Sequence, residues 1–377
     1  MKNQHHLNES RLEIDEIDSQ ILDLLEKRNT VVRKVIETKI KNKLPVYVAQ
    51  RENEKIESFR EMAVQRGLDA SFAEDFLRMI MSSSRDNQSS SEFPRATDSS
   101  KTILIVGGAG EMGRLYTKIA KATGYEVRTL DKDDWQDVVE LCDNVDWVII
   151  SVPIYLTREV IEKIAAYLPE KAVLSDFTST KNGLLNLMME KHVGPVISLH
   201  PMHGPDVPNL SKQLMLISKG RGFEQTAWIC KQCELWGMRV KLVDPEKHDH
   251  AMHMIQGLRH FVALLHGSFM KAYDLKPEDI LDFSSPIYRA ELMMTGRIFA
   301  QDARLYADIV FSDEERRKLL KHFFNHHFLI SQLVETGDKD GFITEFNAIR
   351  DFFGDFAEQA LEESGYLIHR LADRFAH

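Results

Sequence analysis

The stretch Lys101 to Gly113, KTILIVGGAGEMG, constrains this chain more than any other. Thr102 to Val106 are apolar or β-branched in an unbroken run, the pattern of a strand buried on both faces. Gly108, Ala109, Gly110, Glu111, Met112 and Gly113 follow at once in G-x-G-x-x-G spacing, and a helical pattern opens behind them. Such glycines serve a tight turn, close backbone approach to a pyrophosphate, and close packing of helix on strand. The helix start then offers unpaired N–H groups and a positive dipole end to phosphate. Glu126 to Leu130 reads as the next strand and ends at Asp131, 18 positions beyond the last glycine. A carboxylate there accepts both ribose hydroxyls of NAD and repels the 2′-phosphate of NADP.

From Lys101 to about Asp244, strands and helices continue to alternate. Apolar runs at Trp147–Val152, Ala172–Leu174, Val196–Leu199, Leu214–Ile217 and Val240–Val243 read as further strands. The expected fold is a doubly wound sheet, whose ligands lie at the carboxyl ends of the strands. Ser151, Val152 and Pro153 end one strand beside the expected nicotinamide position, and Pro153 halts pairing there. Asp176 to Lys181 follows another strand and presents the Ser179 hydroxyl. Val196 to Leu199 delivers His200, a natural general base at the mouth of a sheet, although His203 competes for that role on sequence alone.

The segment before the sheet is helical. Residues 10–42 carry Ile14, Ile17, Ile21 and Leu24 on an a/d seam that resumes at Val31 and Val35, and Pro45 stops it. Arg28 occupies a seam position that calls for an apolar residue. Lys39, 11 residues on, lies on the same face about 16 Å along the axis. Two long cations so placed suit a small dicarboxylate, unless both snorkel to solvent. Helices at 49–66, stopped by Gly67, and from Ser71 follow, with Ser71 and Glu74 in capping-box spacing. Eight of the twenty residues from Ser82 to Lys101 are serine, which marks a linker, assigned to 91–100. Beyond Asp244 nothing reads as a strand. Long helical patterns cover 245–273, 286–303, 312–335 and 338–375, and His253, Gln256 and His260 share one polar face of the first.

Length and composition bound these readings. A chain of 377 residues, 43% hydrophobic and 28% charged, is an ordinary soluble protein of two or three domains. No apolar run suits a membrane span, and MKNQHHLNES lacks the apolar core of a signal peptide. Three cysteines make no disulfide framework, which fits the cytoplasm, and Cys230-x-x-Cys233 lies within a helical pattern rather than at a helix start. A net charge of −10 argues against nucleic acid. His248, His250 and His253 lack a carboxylate at metal-site spacing, so no metal is expected.

Two family resemblances sharpen this picture. Residues Arg11 to Gln88, on R-x-x-I-D-x-I-D (Arg11 to Asp18), Arg28, Lys39, Arg51-Glu52, Ser84 and Gln88, resemble the all-helical chorismate mutases. That resemblance implies that Arg28 and Arg11 hold the substrate carboxylates, Lys39 and Gln88 the ether oxygen, and Glu52 the ring hydroxyl, with Arg51 and Ser84 completing the site. Arg11 is about 25 Å along the helix from Arg28 and points away from it, so a catalytic Arg11 must come from a partner's helix. Resemblance and spacing together require a homodimer. Val48 stands where some relatives carry an acid, which leaves Glu52 with more of the hydroxyl contact. Gln88 also requires the third helix to run into the serine-rich segment.

From Thr102 onward the motifs GGAGEMG, SVP, D-x-x-S-x-K-x-G and L-H-P-M-x-G-P resemble the prephenate dehydrogenases. This implies His200 as the base on the substrate hydroxyl, Ser179 as its hydrogen-bond partner, and His260 and Arg297 as substrate contacts. The C-terminal helices would form a dimerisation domain. The whole then resembles the bifunctional chorismate mutase/prephenate dehydrogenases. Its expected domains are a helical mutase at 1–90, an NAD-binding sheet at 101–244 and a helical domain at 245–377. It would convert chorismate to prephenate and then oxidise prephenate with NAD, under inhibition by tyrosine. The alternatives are a non-catalytic helical module on a working dehydrogenase, a nucleotide-sensing protein with an idle site, and another hydroxyacid oxidoreductase of the same fold.

Overall fold

The structure, a computed structural model, describes residues 2–88 and 92–375. The chain divides into two compact units that meet in sequence at Pro245 and Glu246.

The first unit opens with three helices, α1 (Lys2–Lys41), α2 (Ala49–Val64) and α3 (Ala70–Gln88). Helix α1 starts well before its seam, and the seam itself is bare: Ile14, Ile17, Leu24 and Val31 are each more than half exposed. Gly67 at φ +72 closes α2 as expected. The cap of α3 is a correction: Asp69, not Ser71, accepts the Phe72 N–H at 2.7 Å, and Glu74 pairs with Arg60 and Arg78 instead of reaching back. Helix α3 runs through the serines to Gln88, as the Gln88 position demanded. The linker reading of 91–100 is corrected over its described residues. Phe93 is buried in the core of the sheet domain, its N–H donates to Ala122 O at 3.0 Å, and Gln232 binds the Pro94 carbonyl and the Ala96 N–H. An aromatic residue able to bury its ring outweighs the polar composition around it.

The sheet has seven strands: β1 (Thr102–Val106), β2 (Glu126–Leu130), β3 (Trp147–Ile150), β4 (Val173–Asp176), β5 (Val196–Pro201), β6 (Leu214–Lys219) and β7 (Arg239–Leu242). Their order is β2-β1-β3-β4-β5-β6-β7. All neighbours are parallel except β5 and β6, which pair antiparallel with His200 opposite Leu216. Helices α4 (Glu111–Ala122), α5 (Val138–Cys142), α6 (Ile154–Ile164), α7 (Asn182–Lys191) and α8 (Ala227–Leu235) connect them. Ile103, Leu104, Ile105, Val148, Ile149 and Ile150 are fully buried, because helices cover both faces of the central strands. The chain reverses direction across the sheet between β1 and β3, which opens the crevice a dinucleotide uses.

The second unit is helical: α9 (Pro245–Met252), a π-helical turn (His253–Leu258), α10 (Arg259–Ala272), α11 (Pro277–Leu281), α12 (Pro286–Phe299), α13 (Ala303–Val310), α14 (Glu314–Thr336), α15 (Lys339–Phe353) and α16 (Asp355–Phe375). One expected helix stops short, and another is two. The 286–303 pattern stops at Phe299, and Asp302 caps α13 by accepting the Arg304 N–H; the last breaks at Gly354, φ +53 and ψ −138. That conformation is open to glycine and strained for other residues. The π turn covers His253 and Gln256, and His260 lies beyond it in α10.

Candidate active sites

The glycine loop joins β1 to α4. Its tight turn is made by Gly107, at φ +89, one residue before the G-x-G-x-x-G pattern begins. A Cβ on Gly107 would fall 2.4 Å from the carbonyl oxygen of Ser151, so the loop lies against the segment Ser151, Val152, Pro153 that follows β3. A Cβ on Gly113 would fall against Gly107 O, the close approach of helix to loop that the motif exists to allow. Gly110 caps α4 with no side chain, which leaves the N–H groups of Glu111 and Met112 facing outward from the helix start. Asp131 stands at the end of β2, and both its carboxylate oxygens lie 3.1 Å from the Ala109 N–H. The loop and the acid thus form one cradle, and its backbone donors and bare Cα atoms fit a dinucleotide pyrophosphate with a ribose beyond it.

His200 and Ser179 occupy the carboxyl ends of neighbouring strands, β5 and the turn after β4. Both are buried, His200 being 4% and Ser179 7% exposed. The expected bond between them is not made: the Ser179 Oγ has no hydrogen-bond partner. Below them lies a buried ion pair that sequence reading left out. Lys181 Nζ meets Asp176 at 3.0 Å and donates to Leu199 O at 2.7 Å, which ties the turn after β4 to the residue before His200. Thr178 and Ser198 also donate to Asp176, so the carboxylate is fully satisfied in a dry setting. His203 is already engaged at both ring nitrogens, to Gly204 O at 2.9 Å and to the Tyr116 hydroxyl at 3.2 Å. Burial holds its pKa below the usual histidine value. A ring engaged in this way acts as a structural strut.

The mutase candidates gather between α1, α2 and α3. Arg28 donates to Ser84 Oγ at 2.6 Å, and burial lowers the pKa of its guanidinium. Lys39 donates to Val46 O at 2.8 Å and is likewise lowered by burial. Glu52, its side chain only 8% exposed, pairs with Arg85 at 2.9 Å and with Lys212 from the loop between β5 and β6. Arg51 is not part of this group: it is 79% exposed and faces Glu54 at 3.6 Å. Arg11 lies on the exposed part of α1. The Gln88 side chain falls outside the described residues. Arg85 and Lys212 carried no motif signal, because neither belongs to the pattern on which the resemblance rests.

In the second unit, His260 sits edge-on to Tyr306, 4.8 Å between ring centroids. Burial first, then the charges of Arg259 and Arg316, push its pKa down to about 4. Arg297 is exposed in the last turn of α12. His253 pairs with Asp313 at 3.2 Å and His248 with Asp249 at 2.8 Å. Cys233 is fully buried and its thiol pKa is raised, which suits packing rather than redox chemistry. Among the described residues no helix is long and apolar enough to cross a membrane.

Comparison with known proteins gives three family matches along the chain. A family model for chorismate mutase type II matches residues 10–89. Models for the nucleotide-binding and dimerization domains of prephenate dehydrogenase match residues 117–217 and 244–348. The T-protein of Enterobacter agglomerans is 40% identical over 363 residues, 96% of this chain and 97% of that one. The T-protein of Haemophilus influenzae is 38% identical over 367 residues, 97% of each. Among solved structures, prephenate dehydrogenase from A. aeolicus in complex with hydroxyphenyl propionate and NAD+ has a TM-score of 0.55 at 19% identity, covering 67% of this chain and 96% of that one. That likeness establishes the shared fold. With its helices and sheet matched along nearly the whole length of these relatives, the chain belongs to the T-protein family, in which a chorismate mutase and a prephenate dehydrogenase share one polypeptide.

Proposed function

We propose that the residues above carry the two consecutive reactions of this chain, rearrangement of chorismate to prephenate and NAD-dependent oxidative decarboxylation of prephenate to 4-hydroxyphenylpyruvate. The observation that carries this reading is the presence, in one unit, of a cation-lined helical site and a glycine loop with its acid. In the mutase, Arg28 would hold a carboxylate, Lys39 would meet the ether oxygen with Gln88, and Glu52 would accept the ring hydroxyl. The rearrangement needs no covalent help, so these residues act by holding the compact conformer and offsetting developing charge. Arg11 would enter from a second copy, and the bare α1 seam supports a homodimer.

In the dehydrogenase, the loop from Gly107 to Gly113 would hold the pyrophosphate and Asp131 the adenosine ribose. Bound NAD would accept hydride from the ring carbon that bears the hydroxyl. His200 would draw the proton from that hydroxyl, and the unpartnered Ser179 hydroxyl is free to bond the histidine or the substrate. Loss of the ring carboxylate then makes the ring aromatic, which supplies the driving force. In the second unit, Arg297 would offer a guanidinium to a carboxylate and His260, neutral near pH 7, an uncharged hydrogen-bonding group. We also propose tyrosine as the feedback inhibitor and the cytoplasm as the setting, the latter supported by three unpaired cysteines.

The test is NADH formation from chorismate and from prephenate in parallel. Arg28→Ala should abolish NADH from chorismate and spare it from prephenate, whereas His200→Asn should abolish both while prephenate still accumulates from chorismate. NADH from neither substrate with wild-type protein overturns the reading. Turnover unchanged by tyrosine at millimolar levels removes the feedback proposal.

A further inference from the structure

The mutase site is not built by the three N-terminal helices alone. Lys212, in the loop that runs from the end of β5 to β6, extends its ammonium to Glu52 Oε1 while Arg85 holds Oε2. The same ammonium lies 5.1 Å from the ring centroid of Tyr47. A second bond joins the loop to the helices, from Asn209 Nδ2 to Asp86 Oδ1 at 2.5 Å. The backbone at Lys212 adds an independent observation. Its φ is +67, a conformation that favours glycine, and its N–H is fixed on Gly237 O at 2.8 Å. A lysine kept where glycine would be easier points to a need for its side chain.

Electrostatics explains the need. Glu52 is buried beside cations placed to receive a dianion, and an unneutralised carboxylate there would repel that substrate. Arg85 alone cancels one charge; Lys212 makes the local sum positive while leaving lone pairs on Glu52 to accept a hydroxyl proton. Val48, where an acid would otherwise share the hydroxyl contact, leaves Glu52 without help, so its orientation matters more.

We propose that Lys212, a loop residue of the sheet domain, is a positioning residue of the mutase site, acting through Glu52 on the binding of chorismate. This rests on the mutase reading of the helices. Lys212→Gly removes the ammonium and suits the left-handed backbone, so it tests the side chain without straining the fold. The expected result is a rise on the order of tenfold in the KM for chorismate, with a smaller change in kcat, and dehydrogenase kinetics on prephenate within about twofold of wild type. Lys212→Arg should recover most of the loss. In a Glu52→Gln background, Lys212→Gly should add little, because its route to the substrate is already gone. Unchanged chorismate kinetics in Lys212→Gly overturn the proposal, and so do effects that multiply in the double variant. Wild-type protein that fails to rearrange chorismate would instead overturn the mutase reading itself, which separates the two failures.

Discussion

Substituting Gly113 with alanine gives the sharpest test of the dinucleotide cradle. The new Cβ would lie 2.2 Å from Gly107 O and 2.8 Å from Gly108 Cα, both backbone atoms that no rotamer change can move. Ordinary contact needs about 1 Å more, so α4 must back away from the loop that faces the pyrophosphate. Forced separation of this kind costs about 1–3 kcal/mol. If most of it falls on the bound state, affinity drops by about 5- to 150-fold. The assay is the KM for NAD during prephenate oxidation, with mutase turnover of chorismate as an internal control that should hold. Gly110→Ala, whose Cβ would sit 3.3 Å from Gly107 O, should do less harm. Gly183→Ala meets nothing within 4 Å and should do none. A Gly113→Ala protein with the wild-type KM for NAD would refute the reasoning, since the clash would then have been absorbed without cost at the cofactor.

Three further outcomes are expected. Lys181→Met leaves the buried Asp176 without its cation and should lower stability by about 3–5 kcal/mol in urea unfolding, whereas Lys181→Met with Asp176→Asn should lose less; equal losses would contradict the ion-pair account. Asp131→Asn should relax the preference for NAD over NADP, read as the ratio of kcat/KM for the two, and an unchanged ratio would remove Asp131 from the ribose site. His260, held down to about 4, stays neutral in the folded chain while the unfolded chain takes up a proton below about pH 6.5. Stability should therefore fall as pH drops from about 6.5 to 4 and level off below, by no more than about 2 kcal/mol given the partial exposure of the ring. His260→Asn should flatten that part of the pH profile, and identical profiles would discount the shift.

The parts of this structure that could be read from sequence are those in which one residue type answers one physical demand. The glycine loop, the acid after β2 and the histidine at the end of β5 are of this kind, because the roles proposed for them, backbone approach, hydroxyl recognition and proton transfer, each admit few side chains. Even there the pattern misplaced the turn by one residue, since Gly107 and Gly108 are chemically identical and only the backbone shows which has positive φ. Composition misled where one residue outweighed its neighbours. The serine-rich stretch begins inside α3, where Ser84 Oγ returns to Ile80 O at 2.8 Å, and Phe93 anchors a segment that looked solvated. The reversal of β6 left no trace in its apolar run, because parallel and antiparallel strands bury the same residues. Lys212 was illegible for a different reason: its partner lies 160 positions away, and a lone lysine in a loop carries no pattern.

These long-range contacts change how the two halves of the first unit relate. Val46 follows the stop of α1, and its side chain is buried in the same core cluster as Trp147 and Trp236 of the sheet domain. Its carbonyl receives the ammonium of Lys39, and its N–H faces Leu235 O at 3.5 Å. The cation expected to meet the ether oxygen is therefore steadied by a residue whose place is fixed by the dehydrogenase core. Glu52, expected to meet the ring hydroxyl, is steadied by Lys212 from the dehydrogenase loop. Two of the mutase contacts thus depend on the sheet domain. A mutase cut free before the sheet would lose Lys212 and, at the same time, the packing against Trp147 and Trp236 that fixes Val46.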